Sequence, residues 1–178
     1  VSLFVSDFDS NGKPDLAVAS RSSNSVSILI NNGDGTFASA VNYGVGSEPK
    51  SVFASDFDGD GKPDLAVAIY DSNSVSILRN NGDGTFATAV NYAAGGGSAS
   101  VFASDFDSDG KPDLAVANWD YNSVSILRNN GDGTFASAVN YAVDRNPQSL
   151  FASAFDDDGK LDLAVAKSSY DSVSILRK

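Results

Sequence analysis

A block of 49 residues recurs along this chain, and that period constrains the fold more than any other feature. The octapeptide Ser-Val-Phe-Ala-Ser-Asp-Phe-Asp at residues 51–58 returns unchanged at 100–107 and in weaker form at 2–9 and 149–156. A fixed period of this length marks a repeat architecture, in which no unit buries its apolar face alone and neighbours stack to make a core. The units run approximately 1–49, 50–98, 99–147 and 148–178, all in a single repeat domain. The fourth stops at Lys178, where the others continue into Asn-Gly-Asp-Gly-Thr-Phe, so it lacks one strand.

Each unit reads as four short strands. In the second they are residues 52–57; residues 65–68, a continuous apolar run suited to burial on both faces; residues 74–78, with period-two alternation; and residues 85–92. The first two read as internal strands, and nothing reads as a helix. Asn-Asn-Gly-Asp-Gly at 31–35, 80–84 and 129–133 supplies the residues that tolerate positive φ in a tight hairpin. Four antiparallel strands in such a unit match a β-propeller blade, and abundant Ala and Ser allow blades to stack closely. The expected fold is all-β: a propeller-type array of four-stranded antiparallel blades, four in this chain, with the last lacking its outer strand. A solenoid is the competitor, but the chain carries neither a β-helix nonapeptide nor leucine-rich spacing.

Composition removes several functional classes. The 178 residues include no Cys, His or Met, and their formal charge is -11. Disulfides, thiolate metal sites, Cys nucleophiles and the commonest general base are therefore absent. An acidic surface repels phosphates, so nucleic acid is not an expected partner. No apolar run approaches the roughly 18 residues of a membrane span, and no membrane insertion is expected. A chain opening at Val1 without Met is expected to be processed or excised from a longer polypeptide.

The acidity is concentrated between strands one and two. The second unit reads Asp56-Phe57-Asp58-Gly59-Asp60-Gly61-Lys62-Pro63-Asp64. Oxygen ligands at positions 1, 3 and 5 of a loop, with Gly at 6 for the sharp turn, a backbone carbonyl at 7 and a closing carboxylate, suit calcium, which takes six to eight oxygens. Position 12, where an EF-hand needs Glu, holds Val67, and the flanks are strands, so Asp64 at position 9 closes the shell. The expected ligands are Asp56, Asp58, Asp60, the Lys62 carbonyl and Asp64. In the third unit they are Asp105, Asp107, Asp109, Lys111 and Asp113, and in the first Asp7, Asp9, Asn11, Lys13 and Asp15. The fourth retains Asp156, Asp158, Lys160 and Asp162, but Ala154 stands at position 1, with Asp157 a poorly placed substitute.

Three complete calcium sites and an impaired fourth are thus expected. Magnesium fits less well, because it prefers fewer protein ligands. Asp-Gly runs also make plain turns, but a turn needs one or two such residues, whereas clustered carboxylates repel one another. The four loops hold 15 of the 23 acidic residues, and three calcium ions would bring the charge from -11 to -5. The single acids Asp34, Asp83 and Asp132 read as turn residues.

Asp-Phe-Asp-Gly-Asp-Gly-Lys-Pro-Asp-Leu-Ala-Val-Ala followed by Asn-Asn-Gly-Asp-Gly-Thr-Phe resembles the FG-GAP/VCBS repeats, over nearly the whole chain. The resemblance implies integrin α-subunit-like blades with calcium in the Asp loops, an extracellular or cell-surface setting, adhesive or lectin-like binding, and no catalytic residue. It assigns ligand roles to the same Asp and Asn positions of loops one to three. The chain departs from the family at Ala154, and the Phe-Gly-Gly-Ala-Pro string becomes Phe86-Ala87-Thr88-Ala89.

A non-catalytic role is expected, since each ion would consume its ligands and no base stands nearby. A hydrolase centre built on the Asp clusters would need an open coordination position. The units differ most in the loops joining strands two to three and four to one, where binding usually resides. Tyr70, Trp119, Tyr121 and Tyr170, with Arg21 and Arg145, could meet a carbohydrate or protein ligand there; the simpler reading is unconstrained loops whose aromatics cover blade edges. The alternative function is structural. An incomplete last blade exposes a strand edge, and strand donation between copies would build a homo-oligomeric ring or filament.

Overall fold

The computed structural model describes residues 1–169 and 171–177. Fifteen strands form four antiparallel sheets, and each sheet follows the chain in simple up-and-down order. Sheet one holds β1 (Ser2–Ser6), β2 (Asp15–Ser20), β3 (Ser25–Leu29) and β4 (Val41–Gly44). Sheet two holds β5 (Pro49–Ser55), β6 (Asp64–Ile69), β7 (Ser74–Leu78) and β8 (Val90–Ala93). Sheet three holds β9 (Ser98–Ser104), β10 (Asp113–Asn118), β11 (Ser123–Leu127) and β12 (Val139–Ala142). The last sheet has three strands, β13 (Pro147–Ser153), β14 (Asp162–Lys167) and β15 (Ser172–Leu176). The four-blade array with a truncated final blade is therefore present, the sheets standing in an open row in which β1 packs on β5, β5 on β9 and β9 on β13.

Alternation along the strands builds the core between sheets. One face of sheet one, with Ala17, Ala19, Val26 and Ile28, meets Val52, Leu65, Val67 and Leu78 of sheet two. The other face of sheet two, with Ala66, Ala68, Val75 and Ile77, meets Val101, Leu114, Val116 and Leu127 of sheet three. Sheet three repeats the arrangement against Leu150, Leu163 and Val165. Every residue of β6 and β10 is buried, as the continuous apolar run requires. Alanine on one face and branched side chains on the other let sheets approach closely while each buried Val or Leu contributes about 1.5–3 kcal/mol. Along the inner strands Phe4, Phe53, Phe102 and Phe151 form a column with centroid spacings of 4.8, 5.0 and 5.5 Å.

The strand boundaries depart from the sequence reading in three respects. The first strand of unit two begins at Pro49, with an irregularity between Pro49 and Ser51, and lies at the sheet edge against neighbouring first strands. The fourth strand is short: β8 covers only Val90–Ala93, and residues 85–89 leave the ladder after the single bridge Asn80↔Phe86. The cause is Phe86, which turns back onto the preceding sheet and packs edge-on against Phe8 at 5.6 Å and Tyr43 at 5.5 Å. Phe135 repeats this against Phe57 and Tyr92. Residues 21–23 also form one 3-10 turn where no helix was expected.

Candidate metal centres

The strand one to strand two loops and the strand three to strand four hairpins share one end of each sheet. Asp15, Asp64 and Asp113 are buried where the two meet. Asp64 accepts from Phe57 N at 3.0 Å through one oxygen and from Asn80 N at 2.8 Å through the other, tying loop to hairpin. Asp15 does the same with Phe8 N and Asn31 N, and Asp113 with Phe106 N and Asn129 N. Burial pushes Asp64 up to about 6, against the pull of its two amide donors, and Asp58 and Asp60 add to the rise. Burial likewise raises Asp113.

Around each buried carboxylate the loop folds over position 1. Asp56 accepts from Gly59 N at 2.8 Å, Asp60 N at 3.1 Å and Gly61 N at 2.8 Å, so one carboxylate fixes the turn. Gly61 sits at φ +83°, a region closed to most side chains, which explains glycine at loop position 6. Asp105 repeats the pattern with Ser108, Asp109 and Gly110, and Asp7 accepts from Asn11 and Gly12.

Three oxygens are thereby brought together in each complete loop. Carboxylate atoms of Asp7, Asp9 and Asp15 lie within 4.8 Å of one another, as do those of Asp56, Asp58 and Asp64, and of Asp105, Asp107 and Asp113. Such a concentration of negative oxygens around a buried carboxylate fits a hard divalent cation. One buried acceptor, Asp107 Oδ1, has no hydrogen-bond partner, the state expected of an oxygen left for a metal.

The position 5 residues border these triads. Asp60 and Asp109 pair with Lys62 and Lys111 at 2.9 Å, contacts that hold both carboxyls below their usual range, and Asn11 Nδ2 donates to Asp9 Oδ2 at 2.7 Å. The lysine whose carbonyl was expected at position 7 has a second use in loop one, where Lys13 Nζ donates to Asn32 O at 3.0 Å. In loop four no triad forms among the described residues. Asp162 accepts from Phe155 N at 3.2 Å, Asp158 N donates to Asp156, and Lys160 lies 3.5 Å from Asp158, but Ala154 offers no carboxylate to fold the turn.

Two groups of residues carry weight that sequence reasoning missed. Asn80 Nδ2 reaches across to Phe8 O at 3.0 Å as well as to Pro63 O at 3.1 Å, and Asn129 does the same with Phe57 O and Pro112 O. The second and third hairpins thus lock onto the Asp loop of the sheet before them; recurrence of Asn at 31, 80 and 129 was the available signal. Arg79 and Arg128 approach Asp58 and Asp107 at 3.9 and 2.6 Å, while unit one has Ile30 there. The hairpin acids are turn residues as expected: Asp83 accepts from Thr85 N at 3.0 Å.

The opposite rim carries the other candidate residues. Arg21 is ion-paired with Glu48, which also lies 3.6 Å from Lys50. Lys50 Nζ stands 4.9 Å over the Tyr70 ring, and Tyr70 donates its hydroxyl to Asp120 at 3.1 Å. Glu48, Lys50 and Asp120 thus join Arg21 and Tyr70 into one connected set, although they come from separate segments of the chain. Trp119 is half-buried, Tyr121 is 68% exposed over Gly96, and Arg145 is exposed. Tyr170 lies outside the described residues.

The family model of the FG-GAP-like repeat matches three times, at residues 7–67, 56–116 and 105–165, each match running from one Asp loop into the next. The chain belongs to the FG-GAP-like repeat family. No curated protein matches its sequence. Among solved structures, this FG-GAP chain is similar to an Agrocybe aegerita lectin described with specific recognition of non-reducing terminal N-acetylglucosamine, with TM-score 0.65 and 23% identity over 97% of this chain and 51% of that one. It is also similar to the V. cholerae biofilm matrix protein Bap1, with TM-score 0.63 and 14% identity over 99% and 26% of the two chains. BBS1N in complex with ARL6DN aligns at TM-score 0.66 and 15% identity, over 98% and 55%. At these identities the likeness shows the β-propeller fold, and the FG-GAP chain spans about half or less of the length of each of these proteins.

Proposed function

We propose that this FG-GAP chain is a calcium-stabilised, non-catalytic binding module that works outside the cell or at its surface, with a carbohydrate or protein ligand. The observation that carries the calcium reading is the convergence of three carboxylates within 4.8 Å in each of three successive loops. Asp7, Asp9, Asn11 and Asp15 would hold one ion, Asp56, Asp58, Asp60 and Asp64 a second, and Asp105, Asp107, Asp109 and Asp113 a third, with the carbonyls of Lys13, Lys62 and Lys111 completing the shells. Bound calcium supplies charge neutralisation and a cross-link within the loop. The chain's own residues do the rest: Asp64 ties the loop to the hairpin, and Asn80 ties that hairpin to the neighbouring sheet.

Binding, as opposed to catalysis, is favoured by the absence of His and Cys from the sequence and by loops whose carboxylates face one another. The lectin and biofilm matrix neighbours support a module of this class. The rim around Tyr70, Trp119 and Tyr121 is the surface proposed for the ligand, because aromatics on fixed loops, here half-buried Tyr70 and Trp119 with exposed Tyr121, stack on sugar or peptide. Extracellular calcium would keep sites of roughly 0.1–1 mM affinity filled.

Thermal unfolding with calcium and with chelator tests the reading. At 10 mM calcium each such site adds about 1.4–2.7 kcal/mol by mass action, so three sites raise the melting temperature by about 10 °C or more. Magnesium at the same concentration should do much less. An unchanged melting temperature would sink the calcium reading.

A further inference from the structure

The two ends of the row expose opposite halves of an interface that the chain makes three times internally. On the last sheet, Val173 is 61% exposed, although the residues at the same repeat position, Val26, Val75 and Val124, are each 0% exposed beneath the following sheet. Ile175 is 45% exposed, whereas Ile28 and Ile77 are buried. Phe151 ends the aromatic column at 60% exposure. The first sheet shows the converse: Leu3 is 60% exposed, while its counterparts Val52, Val101 and Leu150 are buried against the preceding sheet.

The polar contacts of the interface are left open in the same sense. The hairpin of sheet two docks on sheet one through Asn80 Nδ2 and Gly84 N, both donating to Phe8 O, and sheet three repeats this on Phe57 O. In sheet one, Asn31 Nδ2 donates to Pro14 O within its own unit, and open space surrounds the Cβ position of Gly35, where Gly84 and Gly133 meet a preceding sheet. At the other end Phe155, the counterpart of Phe8 and Phe57, is 49% exposed.

We propose that the 178-residue chain docks head to tail on a second copy of itself, the Leu3 face of one copy covering the Val173 face of the other. The occupant follows from continuity with the internal interfaces. The exposed end presents the side-chain types that sheets one to three present to their successors, and the exposed start presents those that sheets two to four present to their predecessors. Phe4 of the incoming copy extends the column beyond Phe151, and the hairpin at residues 31–35 reaches Phe155 O as residues 80–84 reach Phe8 O. The contact is heterologous, so it leaves a second pair of faces free to close or propagate. Two copies supply eight sheets, within the four to eight of closed propellers. Strand addition at the β15 edge is a different contact and makes no use of Leu3.

Sedimentation or light scattering of the full chain, at rising concentration with calcium present, tests the proposal. The wild type should show a mass of twice 18.4 kDa or a higher multiple. Leu3→Lys and Val173→Lys should each be monomeric when alone, since every contact needs both faces. An equimolar mixture should recover a 1:1 pair through the one intact combination, which ordinary apolar stickiness or an isologous interface would not produce. Val90→Lys, a change at a 52% exposed apolar residue on an outer strand, should leave the mass unchanged. A wild-type monomer at about 0.1 mM, or association that survives either face substitution, would overturn the proposal; so would single variants that stay monomeric when mixed. A circular dichroism melt of each variant separates lost docking from lost folding.

Discussion

Replacing the hairpin asparagines by alanine measures the lock between sheets directly, because the repeat supplies its own control. Asn80 is buried and makes three side-chain hydrogen bonds: Nδ2 to Phe8 O and Pro63 O, and Oδ1 from Gly82 N at 2.8 Å. Asn31 makes the equivalents of the last two, with Pro14 O and Gly33 N, and lacks the first. Local losses should therefore be similar, and the difference between Asn80→Ala and Asn31→Ala isolates the contact to the neighbouring sheet. A net intramolecular hydrogen bond is worth about 0.5–1.5 kcal/mol, and weakening the pairing of a buried carbonyl adds to the loss. Phe8 O retains Gly84 N at 3.2 Å, so that added cost is moderate. Asn80→Ala should cost about 1–2 kcal/mol more than Asn31→Ala, and Asn129→Ala should match Asn80→Ala. In a chain of this size that is a melting-temperature difference of roughly 2–8 °C. The comparison belongs in a Leu3→Lys background at low concentration, where docking of residues 31–35 on a second copy cannot contribute. Equal losses at positions 31 and 80 would refute the claim that the hairpin locks neighbouring sheets together.

Three further outcomes are expected. Ala154→Asp restores the missing carboxylate of loop four, so calorimetric titration should give four calcium ions per chain in place of three; an unchanged stoichiometry would mean that position 1 is not what disables the loop. Arg128→Ile, copying Ile30 of unit one, removes a cation 2.6 Å from Asp107. Because that arginine is mostly exposed, the gain is small, about 0.2–1 kcal/mol in calcium affinity at loop three, and weaker binding would contradict it. Asp34, Asp83 and Asp132 are held below the ordinary aspartate value of 3.8, first by their hydrogen bonds from Thr36, Thr85 and Thr134 hydroxyls and then by the backbone amides. A depressed carboxyl stabilises the fold above its unfolded pKa and loses that contribution as pH falls through the native value. The stability gap between wild type and the triple alanine variant, followed by melting temperature in chelator, should therefore be constant above about pH 5 and narrow below 3.8; a gap that widens on acidification would count against the turn assignment.

Periodicity, turn chemistry and the clustering of Asp are local properties, and the sequence by itself determined the repeat, the hairpin at Asn-Gly-Asp-Gly, the third strands, the missing strand of the last unit and the loops in which carboxylates gather. Tertiary structure decided what depends on a neighbour. Phe86 leaves the ladder because the preceding sheet offers Phe8 and Tyr43 to pack against, so the fourth strand is shorter than its β-forming residues suggest. Asp64 reads as a closing ligand in one dimension, yet in three it also ties two loops together, because its neighbours in space come from 7 and 16 residues away. Nor could the spacing of Asp60 show that its carboxylate pairs with Lys62. The clearest case is the valine of the Val-Ser-Ile-Leu segment that ends every third strand: Val26, Val75 and Val124 are buried in three sheets and Val173 is exposed in the fourth, because burial belongs to the presence of a following sheet and not to the segment itself.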